Sequence, residues 1–232
     1  MILLALESAS SACSVAVCDD AGAVLGRSGA DGAGQADRLV ELIDAALGAA
    51  EVRYQDLDVI AVNHGPGSFT GVRAGVAAAR ALALALARPV IAVNALEALA
   101  AAVGAQAAGT IVAALDARRG QVYVQMFDHR LVAIGAPSAL APEEVRLGAA
   151  APPVRLVGSG AALLGTRLGD APPGLAESVE ADAVAVARRA LARLAAGERP
   201  IAGRAVRPLY LRPPDARLPG SPRAHASPAT GA

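Results

Sequence analysis

The most constraining feature of this sequence is a stretch that occurs twice without a gap. "ILLALE" (residues 2–7), a Ser-rich turn, "CSVAVCD" (13–19) and "AVLGRSG" (23–29) read as three strands joined by hairpin turns. From Ile111 the same order returns as "IVAALD", "ARRG", "QVYVQMFD" and "RLVAIG". Glu7 falls on Asp116, Asp19 on Asp128 and Gly26 on Gly135, each pair at one common offset. Strand, acid, turn, strand, acid, turn and strand in the same register point to an internal duplication. Two unrelated three-stranded meanders are the plainer alternative.

After each meander the pattern becomes mixed. In the first half, 36–48, 72–87 and 96–103 read as helices, and 58–63 and 90–94 as strands. In the second half, "VRLVGSG" (154–160) reads as a strand running into a glycine turn. Residues 181–197 form an amphipathic helix closed by Gly197. Three meander strands followed by alternating helix and strand, used twice, predict an α/β chain with the duplicated ribonuclease-H-like fold of actin-like ATPases and sugar kinases. The expected division is a lobe at 1–104, a second lobe at 105–212, and a disordered tail at 213–232 rich in Pro, Ala and Ser.

Composition removes several function classes. The formal net charge is +0, and every basic residue is an arginine. A chain that grips nucleic acid through phosphates usually carries a basic excess, so RNA is expected to reach this protein only indirectly. No basic region precedes the first apolar run, so no signal peptide is expected. The most apolar window, 72–95, contains Arg73, Arg80, Arg88 and Pro89, which argues against a membrane span. Cys13 and Cys18 fall on opposite faces of one strand and cannot pair. The expected location is cytoplasmic.

In a duplicated fold of this kind nucleotide sits between the lobes, held by glycine amides and an acid from each hairpin turn. The first turn here, "ESASSA", has no glycine, and the second, "DARRGQ", is mostly arginine. Glu7 and Asp116 remain weak candidates to face each other and hold a magnesium water. The plainer reading is that each acid caps a strand turn. The loop "NHGPGSFTG" (63–71) does not form a nucleophile elbow, because Pro66 and Thr70 replace the glycines that would flank Ser68. Gly65, Pro66, Gly67 and Gly71 instead describe a tight corner, with Ser68 or Thr70 capping the following helix. His64, His129 and His225 are too dispersed to form a metal site. No catalytic residue, metal ligand or cofactor is therefore assigned.

The helix after that loop is apolar nearly all the way round, and such a helix is buried on all faces. The helix before it carries Leu39, Leu42, Ile43 and Ala46 at helical spacing. With Val72, Gly75, Val76, Ala79 and Leu82 on its neighbour, this surplus implies a helical-bundle contact with a partner or a second copy. The alternative cover is the second lobe.

"GPGSFTGVRAGVAAARALALA", "PVIAVNALEALA", "LDARRGQVYV", the N-terminal "ILLALESASSACSVAV", "LVGSG" and "PLYLRPPDA" together closely resemble the bacterial TsaB (YeaZ) family. The resemblance implies a non-catalytic scaffold in tRNA threonylcarbamoyladenosine biosynthesis. Such a scaffold pairs through its N-terminal helices with the transferase TsaD, a paralogue, and works with TsaE. A second copy of the chain is the alternative partner when it is alone. TsaD carries two metal-binding histidines in a V-N-H-L-E-x-H stretch; here Ala95 and Leu99 occupy those positions. Glu7 stands where the family commonly has Asp, and Asn63 and His64 where Gly and Arg are frequent. An actin-like ATP-binding enzyme, or a protease acting on TsaD, are the alternative functions.

Overall fold

A computed structural model describes residues 1–31, 35–105, 108–165 and 176–212. The tail expected to be disordered lies outside the described residues. The first meander is β1 (Ile2–Glu7), β2 (Ala12–Asp19) and β3 (Val24–Asp31). Helix α1 (Leu39–Ala50) follows, then β4 (Val59–Asn63), α2 (Phe69–Leu86), β5 (Val90–Val93) and α3 (Ala95–Val103). The second half has β6 (Thr110–Arg118), β7 (Gln121–Asp128), β8 (Ala133–Leu140), β9 (Val154–Val157), α4 (Ala161–Gly165), β10 (Ala176–Glu177) and α5 (Ala183–Ala195).

The strands form two five-stranded sheets, ordered β3-β2-β1-β4-β5 and β10-β9-β6-β7-β8. In each, the first three strands pair antiparallel and the last two add in parallel. Each sheet is one ribonuclease-H-like unit, and the fold is a duplicated one. β7 and β8 begin and end at the positions that the sequence offset assigns from β2 and β3. The second copy is reduced: among the described residues only a 3-10 turn, Pro142–Glu144, stands between β8 and β9, where α1 stands in the first copy.

Packing does not respect a cut at 104/105. One face of the first sheet packs on α1 and α2. Its other face is covered by Ala183, Val186, Ala187 and Ala190 of α5, a helix from the second half of the chain. Conversely, Leu96, Leu99 and Ala100 of α3 lie with Ile111, Ala113, Phe127 and Val157 on the second sheet. The two lobes thus exchange helices, and the division by sequence halves is corrected to that extent. Small alanines on α5 let it approach the sheet closely. Glu97 of α3 then bonds Arg193 at 3.0 Å and Arg189 at 3.4 Å, fastening the exchanged pair together.

The interface expectation needs a larger correction. Leu39, Leu42, Ile43, Ala46, Val72, Val76 and Ala79 all lie in the first lobe's own core, Gly75 is also buried, and Leu82 packs against that core half-buried. Periodicity identified the apolar stripe correctly but not the direction it faces. What remains outside is Val40 (64% exposed) and Leu84 (84% exposed), with Ala77 and Ala81 on the outer face of α2. By length and composition α2 is also apolar enough to cross a membrane, but here its inner side packs on the sheet.

Candidate functional site

The duplicated acids line the same cleft. Glu7, at the end of β1, and Asp116, near the end of β6, line one cleft of about 790 Å³ between the lobes. The same cleft is lined by Pro66, Gly67, Ser68, Thr70 and Gly71 of the loop, and by Ala95 and Leu99 of α3.

The two acids differ in what they can offer. Glu7 is fully buried. Its Oε1 accepts from the backbone N–H of Ala9 (2.7 Å) and of Ser10 (3.0 Å), while Oε2 accepts from Asn63 Nδ2. Asn63 in turn accepts from the Gly65 N–H at 2.9 Å, tying the acid to the loop. Burial pushes the Glu7 carboxyl up to about 7, against the opposing pull of the Asn63 side chain and the two turn amides. The N–H groups of this turn that a phosphate would need are therefore turned onto the chain's own carboxylate. Asp116 is half-buried; it accepts from the Arg118 N–H at 2.7 Å and pairs with the Arg118 guanidinium at 3.4 Å. Arg118, Arg119 and Gly120 all have positive φ, so the second turn is a run of left-handed residues. Both acids cap their turns, the plainer of the two roles that the sequence allows them.

The loop behaves as a corner. Ser68 is the N-cap of α2, its Oγ accepting from the Gly71 N–H at 3.3 Å. Gly67 and Gly71 are needed for close approach: a Cβ on either would stand 2.3 Å from the Ala9 carbonyl oxygen or 1.8 Å from that of Ser8. Ser8 Oγ donates to the Gly71 carbonyl at 2.8 Å, completing the contact between loop and first turn. Thr70 lies exposed in the first turn of α2. His64 Nδ1 lies 2.9 Å from the Arg207 carbonyl, and burial lowers its affinity for a proton. Its ring is thus committed to the returning chain, and no nucleophile–base pair forms at Ser68.

Cys13 lines the cleft and belongs to one face of the first sheet, whereas Cys18 belongs to the other, as their spacing requires. Burial, with Glu7 adding to it, pushes the Cys13 thiol up to about 11, so it is a poor nucleophile.

Three features escaped the sequence. Asn63 became a partner of Glu7 because β4 lies parallel beside β1, with Val62 opposite Leu6. A polar residue ending the apolar strand "VIAVN" was the available signal. Asn94 caps α3 and also donates to Gln125 of the second lobe at 3.1 Å, a buried polar link between lobes. Finally, residues 207–210 return to the first lobe, where Leu209 N–H donates to the His64 carbonyl at 2.7 Å and Tyr210 meets α2.

Comparison with known proteins gives a consistent result. The family model described as "TsaD: tRNA N6-adenosine threonylcarbamoyltransferase" matches residues 34–150, about half of the chain. The Bacillus subtilis "tRNA threonylcarbamoyladenosine biosynthesis protein TsaB" is 43% identical over 93 residues, 40% of each chain. Its Escherichia coli namesake is 36% identical over 124 residues, 53% of each chain. The matched stretch therefore spans about half or less of these curated relatives. A solved structure, "YeaZ from Pseudomonas aeruginosa", superposes with a TM-score of 0.80 at 32% identity, covering 90% of this chain and 99% of that one.

Proposed function

The chain belongs to the TsaB (YeaZ) family, and from that premise we propose that it is a non-catalytic scaffold subunit in tRNA threonylcarbamoyladenosine biosynthesis. It pairs with the transferase TsaD and works with TsaE. The observation that carries the non-catalytic part is the state of the cleft. The Ala9 and Ser10 amides are spent on Glu7. Ala95 and Leu99, at the positions of the TsaD histidines, line the cleft with side chains that cannot ligate a metal.

The face that meets TsaD is the outward side of α1 and α2. Val40, Ala77, Ala81 and Leu84 leave apolar surface there that nothing among the described residues covers. A second copy of the chain can occupy the same face when TsaD is absent.

Depleting the protein and measuring threonylcarbamoyladenosine in total tRNA by nucleoside mass spectrometry tests the pathway assignment. The nucleoside is expected to fall, and an unchanged level overturns the reading. Leu84→Glu, at a position too exposed to affect folding, is expected to abolish co-purification with TsaD. Retention of TsaD by both Leu84→Glu and Ala81→Glu removes this face as the interface.

A second reading, an actin-like ATP-binding enzyme, is favoured by one observation, the presence of both Glu7 and Asp116 in the lining of one cleft. Calorimetric titration of ATP with magnesium decides it. Micromolar binding that Asp116→Ala abolishes supports the enzyme, and no heat is expected for the scaffold.

A further inference from the structure

Zero net charge conceals an uneven distribution. No carboxylate occurs from Val59 to Leu96 or from Arg199 to Arg212. The fold brings these two segments together, because the 3-10 turn Gly203–Ala205 packs on α2, with Gly203 against Ala83 and Arg80. Arg73, Arg80, Arg204 and Arg207 are all exposed along this ridge. Among the described residues none of the four makes an ion pair. The 3-10 segment Gln35–Arg38, which also touches α2, carries Asp37 and Arg38, so it adds no net charge.

Aromatic side chains join the arginines. The chain has only 2 Phe and 3 Tyr and no Trp, yet Phe69 (51% exposed) and Tyr210 (47% exposed) stand side by side at the surface, ring centroids 5.7 Å apart. The Arg73 guanidinium lies over the Phe69 ring at 3.7 Å, and its Nε donates to the Tyr210 hydroxyl at 3.0 Å. A chain so poor in aromatics gains nothing for its core by exposing two of them. Exposed rings held beside a guanidinium, in a row of cations without acids, match what an unpaired base and its flanking phosphates require.

We propose that the ridge formed by α2 and residues 203–210 binds single-stranded RNA directly, with a base stacking at Phe69 and Tyr210 and phosphates meeting Arg80, Arg204 and Arg207. An acidic protein segment would satisfy the arginines but would make little use of two flat rings. The inference stands on the ridge's own chemistry and goes beyond the pathway assignment. It changes the expectation that RNA reaches the chain only through a partner.

The test is fluorescence anisotropy of a labelled 12-nucleotide oligoadenylate titrated with the purified full chain at about 150 mM salt, where non-specific binding of this kind gives a Kd of about 1–100 μM. Arg204→Gln with Arg207→Gln is expected to weaken binding about tenfold or more. The double variant is also expected to flatten the log–log salt dependence by about 0.7 for each phosphate that it no longer neutralises. Tyr210→Ala is expected to weaken binding about fivefold or more without changing the salt slope. These positions are exposed, and circular dichroism of each variant confirms an unchanged fold. No binding by the wild type up to about 200 μM protein, or binding indifferent to both variants, overturns the proposal. So does polyaspartate that binds as tightly as the oligoadenylate and displaces it, which would assign the ridge to an acidic protein. Because this readout uses only protein and RNA, its failure is distinct from an unchanged nucleoside level in depleted cells.

Discussion

Glu7 shows how one side chain can close a site. Its position at the end of β1 follows from the apolar run before it, but its role depends on the carboxylate folding back onto the Ala9 and Ser10 amides. With a carboxyl raised from 4.5 to about 7 in the folded state, the native protein holds this proton where the unfolded chain has already released it. The Glu7 contribution is therefore fully present below about pH 4.5 and is lost as pH rises to about 7, by ~3 kcal/mol. Urea unfolding at pH 5 and pH 7.5 is expected to show wild type losing stability relative to Glu7→Gln as pH rises. An equal pH dependence in the two proteins contradicts this. At Gly71 the limit is steric: Gly71→Ala places a methyl group on the Ser8 carbonyl and is expected to cost ~2 kcal/mol or more. Gly48→Ala, with nothing within 4 Å, is expected to gain ~0.5–1 kcal/mol from helix propensity. Thermal melts of the two variants should therefore shift in opposite directions.

At the scale of elements, helix starts were legible and helix faces were not. Ser68, Asn94 and Asp182 each cap a helix through a side-chain oxygen, and two of the three begin within a residue or two of the expected positions; α2 starts three residues earlier, because Ser68 rather than a later residue is its cap. The destinations of α3 and α5 were invisible, since an amphipathic pattern states that a face is buried and not against which sheet. Glu97 marks the exchange: it is the acid between Arg189 and Arg193, with side-chain exposures of 14%, 15% and 20%. A half-buried network of this kind lies between exposed pairs and fully buried ones, so Glu97→Ala is expected to cost ~2 kcal/mol. The loss is expected in denaturant midpoints, and a change under ~0.5 kcal/mol would show that α3 and α5 are held by packing alone.

At the scale of the molecule, the exchanged helices make the lobes interdependent. A fragment of residues 1–104 contains a complete sheet but leaves Leu3, Ala5, Val59, Ala61 and Ile91 without the cover of α5. It is expected not to fold as a soluble monomer, whereas co-expression with 105–212 restores a native-like circular dichroism spectrum. A cooperative thermal transition in the isolated fragment contradicts this account. The apolar outer face of α2 and its basic, aromatic flank place two candidate binding surfaces on one helix, and they overlap at Arg80, one turn from both Ala77 and Leu84.

The amino-acid sequence by itself determined the duplication, the strand order within each meander, the corner at Gly65–Gly71 and the family. All of these are local or repetitive patterns, and local sterics and periodicity encode them in the residues themselves. Only the tertiary structure decided that the apolar stripe of α1 and α2 faces inward, that Asn63 completes the Glu7 site, that the lobes trade α3 for α5, and that distant arginine-rich segments form one ridge. Each of those depends on which surfaces meet across many residues of chain. Hydrophobic burial is non-directional, so a sequence pattern alone cannot specify the partner that covers a face.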